Sequence, residues 1–231
     1  MNDWFKFEKK DIDIPFYKNN PRVPIWGWII LLFIVPLSFV IMEIVATFSE
    51  ILGSIVFPIV LLIPLLYFAK WDFTAFFQKP SKKDLLLALA LTIGYIIYAY
   101  VLDYIFACMG QTSTSNSILQ SPSILTVVDL IFSIMGEELI KLIPLLFLMK
   151  IAYKISNNRK ISIIIPMLIV MILFGALHVV EYNNLLISVV IIGFGSIFEM
   201  FAYLKTKNLW ISYLTHLLTD LILLGLAIAG L

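Results

Sequence analysis

"ILTVVDLIFSIMGEELIKLIPLLFLM" runs from Ile124 to Met149. The stretch is long and apolar enough to cross a bilayer, for which about 20 apolar residues suffice. Yet Glu137, Glu138 and Lys141 stand near its middle. An acidic side chain at a bilayer centre costs about 2.5–3.5 kcal/mol on an insertion scale, so such groups face a bundle interior, pair with one another or mark a functional path. One helix of this kind therefore requires others around it. The fold expected is all-α, a polytopic transmembrane helical bundle.

Composition supports that reading. Of 231 residues, 61% are hydrophobic and 13% charged, and the mean hydropathy is +1.02; a soluble domain is nearer half apolar and a quarter charged. The apolar runs are continuous, unlike the alternating ~10-residue segments of a membrane β-barrel. Seven spans are expected, at Ile25–Val45, Ile51–Ala69, Leu85–Met109, Ile124–Met149, Ile161–Val180, Leu185–Leu204 and Leu209–Leu231. Lysine and arginine alternate with them. The N-terminal tail, the second loop, the fourth (Lys150, Lys154, Arg159, Lys160) and the sixth (Lys205, Lys207) are basic, and the other loops carry none. By the positive-inside rule the N-terminus is cytoplasmic.

The chain divides into a cytoplasmic or interfacial tail over 1–24, accessory helices over 25–122 and a core over 123–231. Trp4, Phe5, Phe7, Phe16 and Tyr17 suit the tail either to an interfacial anchor or to a solvated arm. The uncharged loop "GQTSTSNSILQSPS" after the third span reads as a plain outer loop in preference to a lid over a site. Cys108 is the single cysteine, so no internal disulfide forms. The apolar run after the tail lacks a signal-peptide cleavage site and reads as a first membrane helix. The multi-pass chain belongs in a cell membrane, and its many Ile, Lys and Asn residues fit an AT-rich bacterial genome. A net charge of +1 says nothing in favour of nucleic acid, and none is expected as a partner.

Polar residues inside the spans carry the chemistry. They are Glu43, Asp103, Asp129, Glu137, Glu138, Lys141, His178, Glu181, Glu199, His216 and Asp220, and both histidines of the chain are among them. Adjacent residues on a helix point about 100° apart, so one glutamate can face a partner helix while the other faces a cavity. Lys141 lies i+4 from Glu137 and i+3 from Glu138, within reach of both. Phe174 and His178 share a face, as do His216 and Asp220. Buried carboxylate and imidazole together suit hydrolysis, with a carboxylate as general base and a histidine at the developing oxyanion. The same groups could ligate zinc, although the His-Glu-x-x-His signature of soluble zinc proteases is absent. Structural pairing or water contact is the expected role of Glu43, Asp103, Asp129 and Glu199, and simple solvation that of Glu181.

"GEELIK", "FGALHVVE" and "KTKNLWISYLTHLLTD" resemble the three motifs of the CPBP family, intramembrane CAAX-protease and bacteriocin-processing proteins. That family carries Glu-Glu-x-x-x-Arg, Phe-x-x-x-His and His-x-x-x-Asn or Asp, each on its own helix. The matching residues here are Glu137 and Glu138, Phe174 and His178, and His216 and Asp220. The family arginine would fall on Leu142, and Lys141 stands one residue earlier. That spacing is similar to PrsW-type membrane proteases, which have a glutamate where His178 stands.

The resemblance implies an intramembrane endopeptidase acting on a membrane-associated peptide or precursor. Glu137 would be the base that activates water and Glu138 its assistant. His178 would bind the water or the transition state, and His216, steadied by Asp220, would contribute to an oxyanion site. Lys141 would hold the glutamate pair. The resemblance leaves a divalent metal such as zinc open, with Glu137, Glu138, His178 and His216 as candidate ligands. Two other readings stand beside it: a non-catalytic scaffold or bacteriocin-immunity protein of the same fold, and a small transporter using the acids as a proton relay. For the three motifs to meet, the fifth helix is expected to shift or tilt, or to begin later than Ile161, with Pro166 suited to a later start or a kink.

Overall fold

Polar residues at helix ends cut the apolar sequence into its elements. The computed structural model describes residues 23–111 and 123–229. The aromatic tail and nearly all of the serine-rich third loop lie outside the described residues. Helix α1 spans Ile25–Ala46. Helix α2, Glu50–Phe68, is capped by Ser49, whose hydroxyl accepts from the Leu52 amide. Helix α3, Lys82–Cys108, opens on a capping box between Ser81 and Asp84, which satisfies otherwise orphaned backbone donors at both positions. Helix α4, Ile124–Ser156, opens on a reciprocal Ser123–Thr126 pair.

Two asparagines turn the chain from α4 into α5. Asn157 takes a left-handed conformation at φ 48°, and Asn158 caps α5, Arg159–Leu177, through the Lys160 and Ile161 amides. A short helical turn, Val179–Tyr182, follows. Helix α6 covers Leu185–Thr206 and contains a π-helical segment at Ser188–Gly193. Lys207, at φ 55°, ends it, and α7 spans Leu209–Ala229.

Six of these helices are long and apolar enough to cross a membrane. The exception is α4, 33 residues long, which carries Asp129, Glu137, Glu138 and Lys141 within its apolar stretch. It is also the helix at the centre, packed on α1, α2, α5 and α7. Its buried side includes Glu138, Leu139, Ile140, Lys141, Leu142 and Ile143 in unbroken succession. By contrast, Phe33, Ile44, Ile97 and Leu173 point outward and are more than half exposed, as lipid-facing side chains must be. Among the described residues there is no strand.

The α2–α3 loop and the α6–α7 turn are hydrogen-bonded to each other. Asn208 accepts from the Gln78 amide at 3.2 Å and donates to the Gln78 carbonyl at 2.8 Å, and the Leu209 amide donates to Phe76 at 2.7 Å. These loops therefore lie on one side of the bundle, as the lysine alternation requires.

Of the alternatives open for the fifth helix, the later start is not found. Helix α5 begins at Arg159, because Asn158 caps it there, and continues helically through Pro166. His178 stands at its C-cap. The α5–α6 contact is made by backbone: a Cβ on Gly175 would lie 2.6 Å from Val189 Cα, and one on Gly193 2.4 Å from the Met171 carbonyl oxygen. Small residues permit this approach where helices gain nothing from excluding water. Gly193→Leu is expected to force α5 and α6 apart, costing about 1–3 kcal/mol or more. A thermal midpoint in detergent equal to that of wild type would refute that account.

Candidate active site

Helix geometry separates the two adjacent glutamates. Glu138 is 2% exposed and points into the bundle. Glu137 keeps 27% of its side chain accessible and lines a cavity of about 130 Å³.

The buried side is an ion network across three helices. Glu138 Oε1 lies 2.5 Å from Lys141 Nζ and 2.8 Å from His216 Nδ1 of α7. Its Oε2 accepts from the Ser212 hydroxyl, which also reaches the Glu199 carbonyl oxygen at 2.8 Å. Lys141 pairs a second time, with the Glu199 carboxylate of α6, and its ammonium sits 4.5 Å from the Phe174 ring centroid. That separation falls within cation–π range.

The network sets the histidine tautomers. A carboxylate can only accept, so His216 Nδ1 carries the proton facing Glu138, and Nε2 is left toward the cavity. Nε2 lies 3.8 Å from Glu137 Oε2 and 3.7 Å from Asp220 Oδ2. His178 Nδ1 donates to the Phe174 carbonyl at 2.9 Å, which likewise leaves its Nε2 available. Phe174 packs edge-on to both imidazoles, with ring centroids 4.7 Å from His178 and 6.5 Å from His216.

Glu137, Phe174, His178, His216 and Asp220 thus line one cavity, with Glu138 and Lys141 directly behind it. Two details differ from the sequence reading. Lys141 divides its charge between Glu138 and Glu199 rather than between the adjacent glutamates. The hydrogen bond that orients His216 comes from Glu138, while Asp220 lies beyond hydrogen-bond range of Nε2. Glu199, expected to pair or to meet water, pairs with Lys141 58 residues away, which no local spacing reveals. Asp129 accepts from Ser54 of α2. With Glu43 and Glu181 it lines a second, larger cavity of about 510 Å³ that shares Glu137 and His178 with the first. Asp103 is exposed on α3.

Two donor sets merit comparison for a divalent cation. Glu138, Glu199 and His216 bring ligand atoms within 4.8 Å of one another, but the Lys141 ammonium bonds both carboxylates there, and a second cation does not fit beside it. Around the cavity, Glu137, His178 and His216 are donor types suited to zinc, but among the described residues their ligand atoms do not come within 4.8 Å of one another, so they form no closed metal set as they stand. Each imidazole there is oriented through its other nitrogen, as metal-ligating histidines usually are.

Removing one partner of a buried ion pair leaves a charge uncompensated, at a cost of about 3–5 kcal/mol, whereas apolar replacement of both partners is often tolerated. Glu199→Leu should therefore lower the thermal midpoint sharply, and Lys141→Met combined with Glu199→Leu should recover part of the loss. Equal midpoints for the wild type and the single variant would contradict the network's role.

Residues 119–222 match the family model described as "Type II CAAX prenyl endopeptidase Rce1-like". No curated protein and no solved structure matches the chain.

Proposed function

Because the chain belongs to the CPBP family of CAAX-protease-like membrane proteins through residues 119–222, we propose that it is an intramembrane endopeptidase that hydrolyses a membrane-associated peptide or precursor with water activated by Glu137. One observation carries the assignment of the base. Of the two glutamates, only Glu137 faces the cavity, 3.8 Å from His216 Nε2. Glu138 has both carboxylate oxygens engaged, by Lys141, His216 and Ser212, so it acts as a positioning residue.

In this reading water occupies the cavity beside Glu137. The carboxylate takes a proton as the water oxygen bonds to the scissile carbonyl carbon, and the carbonyl π electrons move onto oxygen. Imidazole groups of His178 and His216 bind the water or the tetrahedral intermediate. Collapse breaks the C–N bond, and Glu137 returns its proton to the leaving amine, as a general base must on the reverse leg. Glu138, held by Lys141, fixes the His216 ring throughout. No step here is routed through a metal, because the lining donors do not converge on one point.

The test uses purified full-length protein in liposomes with an internally quenched farnesylated CAAX peptide and an unprenylated peptide of the same sequence. Glu137→Gln should abolish cleavage, at least 10³-fold by the order of magnitude lost with a general base, while leaving the thermal midpoint near wild type. Cleavage by neither wild type nor Glu137→Gln would instead favour a non-catalytic scaffold, and equal cleavage by both would remove Glu137 as the base. Overnight chelation followed by zinc addition separates the two chemistries. Activity lost and then restored shows a metal requirement, and undiminished activity leaves the water to Glu137 alone.

A further inference from the structure

Tyr95 lies on α3, outside the three motifs and outside the matched residues. It nevertheless lines the catalytic cavity with Glu137, His178, His216 and Asp220. The residue is only 7% exposed. Buried tyrosine hydroxyls usually find a hydrogen-bond partner, and Tyr98, one turn along, donates to the Val190 carbonyl at 2.5 Å. Among the described residues, none hydrogen-bonds the Tyr95 hydroxyl. The hydroxyl is not sealed in the interior, so it is open to a group that enters the cavity.

The fold makes room for this ring deliberately. A Cβ on Gly195 of α6 would stand 2.6 Å from Tyr95 Cε2, so the aromatic ring occupies the space a side chain would need. On its flank Phe198 packs edge-on at 6.0 Å between centroids. The ring is thus wedged between α3 and α6, with its one polar atom left unused on the lining of the cavity.

We infer that Tyr95 is a further catalytic residue whose hydroxyl donates a hydrogen bond to the substrate carbonyl oxygen as it becomes an oxyanion. This rests on the endopeptidase reading above. The phenol is a suitable donor because the other lining groups near Glu137 include the carboxylate of Asp220, which when ionised can only accept. No proton leaves Tyr95: as water adds to the carbonyl carbon and Glu137 takes the proton, the Tyr95 O–H shortens its contact to the new oxyanion, and the contact relaxes when the C–N bond breaks. Preorganised donors of this kind act where water is excluded and need no reorganisation during the reaction.

Tyr95→Phe keeps the ring and its packing and removes only the hydroxyl. It should lower kcat by about 100-fold, the scale of losing one oxyanion donor, leave KM within about twofold, and leave the thermal midpoint near wild type because the ring and its packing are kept. Turnover of the two quenched peptides by wild type, Tyr95→Phe and Glu137→Gln is measured side by side. A Tyr95→Phe enzyme with wild-type kcat, or one changed only in KM, overturns the role of Tyr95. A lowered midpoint that accounts for lost activity through unfolded protein overturns it too. Glu137→Gln cleaving as fast as wild type overturns the assignment of Glu137 as base, and a wild type that cleaves neither peptide overturns the endopeptidase reading itself. Gly195→Ala, which must displace the ring, serves as an independent check and should reproduce the kcat loss.

Discussion

One ammonium group organises the interior of this bundle. Lys141 is 2% exposed and is shared by Glu138 and Glu199. In a hydrocarbon environment a bare charge is far too costly to keep, so the lysine and the two carboxylates tolerate burial only together. Their positions on α4 and α6, with His216 and Ser212 of α7 closing the set, tie three helices at one level. The hydrogen-bond demands of the network also fix rotamers that apolar packing alone would leave degenerate. Everything at the cavity is built on this arrangement, since Glu138 orients His216 and Lys141 underlies Phe174.

The network explains why the glutamates come in adjacent pairs. A single carboxylate cannot both anchor a buried lysine and remain available to a water molecule. Two in succession, turned apart by the pitch of the helix, separate those duties. Glu138 is consumed by its partners, and Glu137 is kept at the cavity. The second cavity, which shares Glu137 and His178 with the first, extends the accessible space toward α1 and α2 and reaches Glu43, Glu50 and Asp129. The first three helices are therefore walls of the site as well as supports, and α3 contributes Tyr95 to it.

Much of the helix pattern was legible because it is local. Span lengths follow from the thickness of hydrocarbon, and caps such as Ser81 with Asp84, or Asn158, state where helices begin. Boundaries slipped where solvated charges continue a helix past its apolar window. Thus α4 runs to Ser156, carrying Lys150 and Lys154, whereas hydropathy ended it at Met149. For the fifth helix the depth argument leaves a shift, a tilt or a later start open, and the Asn158 cap removes the later start. Helical spacing also grouped Glu137, Glu138 and Lys141, His178 with Phe174, and His216 with Asp220.

What the amino-acid sequence determined by itself was the class of fold, the number and approximate bounds of the apolar helices, and the short list of polar side chains that lipid could not accept. Those follow from hydrophobicity and a 3.6-residue period, which act over one or two turns. Which of those side chains meet was decided only in three dimensions. Glu199 found Lys141 across 58 residues, Glu138 rather than Asp220 took His216 Nδ1, and Tyr95 came to the cavity through a space left by Gly195. Such pairings depend on how helices rotate about their axes and how closely their backbones approach. No single helix carries that information, because it is set by the satisfaction of all the buried charges at once.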